Sequence, residues 1–358
     1  MDSSYNHKLG IHKGDVTLPL LSWPPIAWST RCLYLLIIYV IKCLLALQWH
    51  FTRAKIVLGL TPRPTDNLVF SKSYPDRPRL KHRFFFPDSY RSGELLPLYI
   101  NIHGGGFALG APAYDDEFCV FMSRRFNLLV ISIQYSLSPW AKFPTPTEDI
   151  VAVVEAILQD DSIPVDHSRV AIGGFSAGGN LALSACQSPS LQGKIRAAVP
   201  WYAPVDWTVD YEHKLASRPY RHTKDIDGLA SVAPLFNNIY IPTGTDQRNP
   251  LLSVLYAERC ELPPWIFAIG AEYDMLNDEA RRMMVRLAGE SDIGGEETVA
   301  FERQGGRLKW RMVVGAEHSF THWWRKRGPQ AVLMKPLAEK CFIEVGKWLT
   351  EKAFEGQH

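Results

Sequence analysis

A serine held between two glycines, with a strand-like run before it and a helical run after it, restricts this chain's fold more than any other feature. Arg169 to Gly173 reads as a buried strand, Gly174-Phe175-Ser176-Ala177-Gly178 as a turn, and Gly179-Asn180-Leu181-Ala182-Leu183 as the start of a helix. A chain that passes from strand to helix this abruptly leaves no room for side chains beside the serine, and it lifts the hydroxyl out at the sheet's C-terminal edge. The five-residue pattern alone matches many proteins by chance, so the flanking strand and helix supply its specificity.

The rest of the chain fits a sheet that such a turn can crown. Leu98 to Ile102 and Leu128 to Tyr135 are short, β-branched, mostly apolar runs of the kind buried on both faces, and Arg196 to Trp201, Trp265 to Gly270 and Leu308 to Val314 are further strands. Helices alternate with them. One starts near Thr145, with Thr145 as cap, Pro146 in the first turn and Glu148 completing a capping box; others are expected over Asn277 to Leu287 and Leu337 to Phe354. The alternation implies an α/β fold, a mostly parallel central sheet with helices on both faces. Residues 206–246, rich in Tyr, His, Asn and Pro, break the rhythm and read as an inserted helical cap. Glu290 to Gly306 reads as a polar surface insertion. The expected organisation is an N-terminal appendage over 1–60 and a catalytic domain over 61–358.

With 358 residues, 46% of them hydrophobic, the chain has ample material for a core. Its 39 basic and 37 acidic residues leave a net charge of +2, without the basic excess of a nucleic-acid binder. The six cysteines, Cys32, Cys43, Cys119, Cys186, Cys260 and Cys341, form no C-x-x-C pair and read as reduced packing residues. No histidine spacing suits a metal, and no organic cofactor is called for.

The chemistry gathers around Ser176. The strand ending at Ile102 runs into His103-Gly104-Gly105-Gly106-Phe107, whose glycines allow backbone N–H groups to converge. Those of Gly104 and Gly105, with that of Ala177, can form an oxyanion hole; a phosphate cradle is disfavoured because neither G-K-[ST] nor G-x-G-x-x-G is present. An alcohol nucleophile needs a base, and the base needs an orienting carboxylate. Asp274 and His318 each fall four residues after a strand end. Asp278 and His322 are their rivals, Asp278 being better suited to starting a helix and His322, beside Trp323-Trp324, to packing. Phe107, Trp140, Trp207 and Tyr211 are candidate walls of a substrate pocket.

These motifs, HGGGF at 103–107, GFSAGGN at 174–180, Asp274-Met275-Leu276-Asn277-Asp278-Glu279 and His318-Ser319-Phe320, resemble the hormone-sensitive-lipase-like branch of the α/β-hydrolases over roughly Leu98 to Trp348. The chain order Ser, Asp, His is the one that fold uses. The resemblance implies a Ser-His-Asp esterase with a cap built from the N-terminal segment and an insertion. Many relatives carry Asp or Thr where this chain has Phe175, and Tyr-Arg-Leu-Ala-Pro-Glu where it has Tyr135 to Trp140, so the usual ion pairs of the site floor are in doubt. Two other readings keep the fold. One is a biosynthetic acyltransferase, deacetylase or dehydratase of a natural product; the other is a small-molecule receptor, a branch that has lost the histidine retained here as His318.

One block lies outside this scheme. From Leu33 to Trp49 only Lys42 and Gln48 are polar, and Arg31, Lys42 and Arg53 recur every eleven residues, which places them on one face of a continuous helix. A lysine at mid-bilayer costs about 2.5–3.5 kcal/mol, so a basic-striped interfacial or cap helix fits better than an ordinary span. With no secretory signal pattern and no N-x-Ser/Thr sequon, the expected location is membrane-associated, at the endoplasmic reticulum for example, or cytoplasmic, and not secreted. The expected partners are a small-molecule ester and, through residues 31–53, a membrane surface.

Overall fold

The computed structural model describes residues 21–58, 60, 69–217, 227–291, 298–325 and 328–355. The boundary expected near residue 61, parts of the 206–246 insertion and the Gly294-Gly295 pair of the polar insertion lie outside these residues. Nine strands among the described residues, β1 (Val69–Lys72), β2 (His82–Phe85), β3 (Leu96–Ile102), β4 (Leu129–Ile133), β5 (Val165–Phe175), β6 (Ala197–Trp201), β7 (Trp265–Tyr273), β8 (Ala300–Arg303) and β9 (Leu308–Glu317), form one sheet. Their spatial order is β1-β2-β4-β3-β5-β6-β7-β9-β8. The six strands from β4 to β9 in that order run parallel, and β1, β2 and β8 add antiparallel margins. All five of the expected strands beyond the elbow strand are present. The three that sequence reading missed are the marginal ones, four residues each and carrying Lys72, His82, Arg83, Glu302 and Arg303, too short and polar to stand out.

Strand alternation builds a core on each face. Leu98, Ile100 and Ile102 of β3 point to one side with Ile131, Val170 and Ile172, where α3 (Thr145–Leu158), α4 (Ala177–Cys186) and α7 (Asn277–Ala288) cover them. Tyr99, Val130 and Ala171 point to the other, against α2 (Asp116–Phe126) and α8 (Pro329–Trp348). Burial on both faces explains why these strands read as continuous apolar runs.

Two helix starts differ from expectation. Pro144 occupies the cap position of α3, so Thr145 lies inside the first turn and no side-chain cap bond forms; Thr147 N instead donates to the Pro144 carbonyl at 2.9 Å. The last helix begins at Pro329, eight residues before the expected Leu337, because its first turns expose Val332 and Leu333 and show no apolar periodicity until Met334 is buried.

The insertion carries two helices, α5 (Tyr211–Ala216) and α6 (Ala233–Tyr240), and the N-terminal segment is tied to it. Trp23 N donates to the Thr245 carbonyl at 2.7 Å, and Gly244 N to the Trp23 carbonyl at 3.0 Å. Beyond this bridge runs α1 (Trp28–Val57), long and apolar enough to cross a membrane by length and composition alone. Its inner face packs Ile38, fully buried, with Tyr34 against Ala108, Leu235 and Ile239. Lys42, one turn on, donates to the Ser138 carbonyl at 2.5 Å and lies 4.9 Å over the Trp140 ring. Burial pushes its ammonium down to about 8. Lys42 therefore meets the protein, not headgroups, as the cap-helix alternative has it, whereas Arg31 is exposed. The side chain of Arg53 lies outside the described residues.

Candidate active site

Four parallel strands deliver the candidate residues to one edge. β3 ends at Ile102, one residue before the glycine loop; β5 ends at Phe175, one before Ser176; β7 ends at Tyr273, one before Asp274; β9 ends at Glu317, one before His318. The chain reverses its direction of growth between β3 and β5, and the crevice beyond their C-terminal ends is where open α/β sheets place their ligands.

Ser176 turns between β5 and α4 with φ 52° and ψ −119°, a conformation that a residue with a Cβ rarely adopts. The turn closes because its flanking glycines touch backbone. A Cβ on Gly178 would lie 2.0 Å from the Ile102 carbonyl oxygen, and one on Gly174 2.5 Å from the same atom. Gly178→Ala should therefore displace β3 from the elbow and lower unfolding free energy by about 1–3 kcal/mol, measured by urea denaturation.

The three candidates expected to act together are hydrogen-bonded in series. His318 Nε2 lies 3.0 Å from Ser176 Oγ, and His318 Nδ1 lies 2.7 Å from Asp274 Oδ2. A carboxylate only accepts, so Nδ1 carries the proton and Nε2 is left to accept from the serine hydroxyl. Asp274 is buried, and its second oxygen accepts from Leu276 N at 2.9 Å. The rivals go elsewhere. Asp278 sits in the first turn of α7, paired with Arg281 and Arg282.

His322 forms a second, partly buried relay behind the first. Its Nε2 lies 2.9 Å from Asp115 Oδ1, and Asn101 Nδ2 donates to Asp115 Oδ2 at 2.7 Å. The His322 ring meets Phe175 edge-on at 4.8 Å, and its Nδ1 lies 3.3 Å from the hydroxyl of Tyr202, whose ring packs on His318 at 4.9 Å. The position where relatives carry Asp or Thr thus holds Phe175 against an imidazole. Asp115→Ala should cost about 1–3 kcal/mol of stability by leaving the buried amide of Asn101 and the partly buried His322 without their acceptor, which chemical denaturation would measure.

A further carboxylate escaped sequence reading. Asp227, from the insertion, accepts from Met275 N at 2.6 Å and from Leu229 N at 2.8 Å, so the insertion grips the loop that carries Asp274. Burial, then the nearby Asp274 charge, raises its carboxyl above the ordinary range. Nothing in its local sequence marks it, because it gains a role only through contact with a loop 48 residues on.

A recess opens beside Ser176, lined by Phe107, Ala177, Trp207, Tyr211, Phe236, Met275 and Leu276, with Lys214 and Asn237 as polar members. Three of the four expected wall residues are there. Trp140 is not: it is 73% exposed and stands against Tyr39 and Lys42 on the outer surface. Of the expected oxyanion residues, Ala177 lines the recess. Gly104 abuts the elbow, where an added Cβ would lie 2.8 Å from the Phe175 carbonyl oxygen and 3.5 Å from the Ser176 Cβ, and Gly105 follows it with φ 116°. Lys214 is already engaged: its Nζ lies 2.5 Å from Glu279 Oε2 and donates to the Asp206 carbonyl at 2.5 Å. Burial pushes Glu279 up to about 7 against the pull of that ammonium. No group of three or more His, Cys, Asp or Glu side chains among the described residues could hold a metal ion.

The chain belongs to the α/β-hydrolase-fold family, whose model matches residues 99–322. The four motifs that carry the hormone-sensitive-lipase-like resemblance, from His103 to Phe320, fall within that match. An arylesterase of Saccharolobus solfataricus is 32% identical over 210 residues, 58% of this chain and 66% of its own length, so the chain spans just under two thirds of that relative. A hyperthermophilic esterase from the archaeon Pyrobaculum calidifontis superposes with a TM-score of 0.67 at 22% identity, over 92% of this chain and 99% of that one. An ester-hydrolase from the metagenome of Lake Arreo, solved with a derivative of bipyridine phosphonate, gives a TM-score of 0.61 at 26% identity, over 85% and 98%.

Proposed function

We propose that this protein hydrolyses carboxylic esters of apolar small molecules through an acyl-enzyme on Ser176. The observation that carries the reading is the unbroken series Ser176-His318-Asp274 at the mouth of an apolar recess. As Ser176 Oγ attacks the ester carbonyl, its proton passes to His318 Nε2, and Asp274 holds the imidazole in the tautomer that can take it. The N–H groups of Ala177, Gly104 and Gly105 receive the oxyanion. His318 then returns the proton to the departing alkoxide, the alcohol leaves, and a water deprotonated by His318 cleaves the acyl-serine.

The lining supports the substrate class. Its one basic side chain, Lys214, is paired with Glu279, so the recess offers an anion no free charge, while Phe107, Trp207, Phe236 and Met275 favour apolar groups. The name of the arylesterase relative and the titles of the esterase neighbours support ester hydrolysis. An organophosphonate probe should label Ser176, and a series of 4-nitrophenyl esters graded by acyl length should be turned over. A protein left unlabelled, with no turnover of any member, would be a receptor on this fold instead.

A further inference from the structure

We propose that the outward apolar face of α1 docks the protein on a lipid bilayer, with the helix lying along the interface and not crossing it. At 100° per residue, Leu33, Leu36, Val40, Leu44, Leu47 and Phe51 fall within an arc of about 80° roughly opposite Ile38, and they extend over about 27 Å. All six are exposed. Between Leu33 and Phe51 the only Lys, Arg, Asp or Glu is Lys42, which is turned inward onto Ser138 and Trp140.

The chemistry of this stripe selects lipid over a protein partner. A protein interface carries about one hydrogen bond per 100–200 Å² and a polar rim, and the stripe presents neither charges nor polar side chains for them. Hydrocarbon requires none. The aromatic side chains at its margin, Trp28, Tyr39 and Trp140, are exposed and amphipathic, the type that settles at headgroup level.

The seam excludes a crossing. Ile38 and Lys42, at the middle of the apolar run, are fastened to the body through Leu235, Ile239 and Ser138. A bilayer centred on that run would engulf the hydrolase body itself, charged groups included, where they are most costly. Lying flat, the helix satisfies both faces. It also packs on α6, whose Phe236 and Asn237 line the recess, so the recess sits about one helix diameter, ~10 Å, from the lipid. An apolar ester would then pass from lipid to Ser176 without crossing bulk water; this last clause rests on the proposed function, whereas the docking does not.

The experiment is flotation of the full-length protein with uncharged phosphatidylcholine vesicles. The wild type should float at low and high salt alike, and Leu36→Glu/Val40→Glu/Leu44→Glu should stay in the lipid-free fraction. Turnover of a water-soluble short ester by that variant, within about twofold of wild type, reports an intact fold, since none of the three residues touches the recess. A wild type that stays lipid-free, or a triple variant that floats equally well, overturns the proposal. So does a wild type that fails to float but sediments as a dimer, which the triple variant converts to a monomer; the stripe would then belong to a second copy. Flotation is read without turnover, so a protein that floats but cleaves no ester would sink the ester reading and leave the docking in place.

Discussion

Replacing Ser176 with alanine should lower kcat for a short-chain aryl ester by about 10⁶-fold, the scale of the loss when the nucleophile of a serine–histidine–aspartate site is removed. The substitution deletes one atom. Alanine keeps the Cβ, so the positive φ of 52° strains both residues alike, and the turn is held by glycine contacts that do not involve the hydroxyl. Urea denaturation should therefore show a stability near that of the wild type, and KM should change little, because the recess walls remain. Retention of most of the activity in a correctly folded Ser176→Ala protein would falsify the acyl-enzyme reading. Labelling by a phosphonate should vanish in the same variant.

Asp274→Asn should lower kcat by about 10⁴-fold while leaving KM close to its wild-type value. An amide in place of the carboxylate can present its NH₂ to His318 Nδ1, which then loses its proton to the other nitrogen. Nε2, 3.0 Å from Ser176 Oγ, would become a donor and could no longer accept the serine proton. The residue lies behind the imidazole and is absent from the recess lining, which is why binding should be spared. Asp278→Asn is the internal comparison. Asp278 is paired with arginines on its own helix, and its loss should leave kcat within about threefold. Equal losses in the two variants would reassign the orienting carboxylate.

Ser176, Asp274 and His318 are legible as chemistry in the sequence alone. A nucleophile elbow has to be written with glycines beside the serine, because backbone comes within 2.0 Å of where a Cβ would stand, and a base and its carboxylate have to follow strand ends to reach it. The parallel core was legible for a related reason: strands buried on both faces must be apolar throughout. Strands β1, β2 and β8 escaped because each is only four residues long; solvent tolerates polar residues on the edge strands β1 and β8, and β2, between β1 and β4, carries a buried His82 that breaks its apolar run. Asp227 and the Asp115-His322 pair escaped because each is defined by contacts across long sequence separations, 48 residues between Asp227 and Met275 and 207 between Asp115 and His322.

Local patterns in the chain thus determined the fold class and the elbow, which sterics enforce within a few residues, and marked Asp274 and His318 as candidates by their places after strand ends; their hydrogen bonds to each other and to Ser176 span 44 and 142 residues and come from the tertiary structure. Tertiary structure alone decided which of the bulky candidates face the recess, removing Trp140 to the surface, and which way the N-terminal helix turns. The reason is geometric. An eleven-residue recurrence of basic residues defines a face of a helix, but only packing against the body, with Ile38 buried and Lys42 on Ser138, decides that Lys42 looks inward and leaves the opposite, apolar face to the outside.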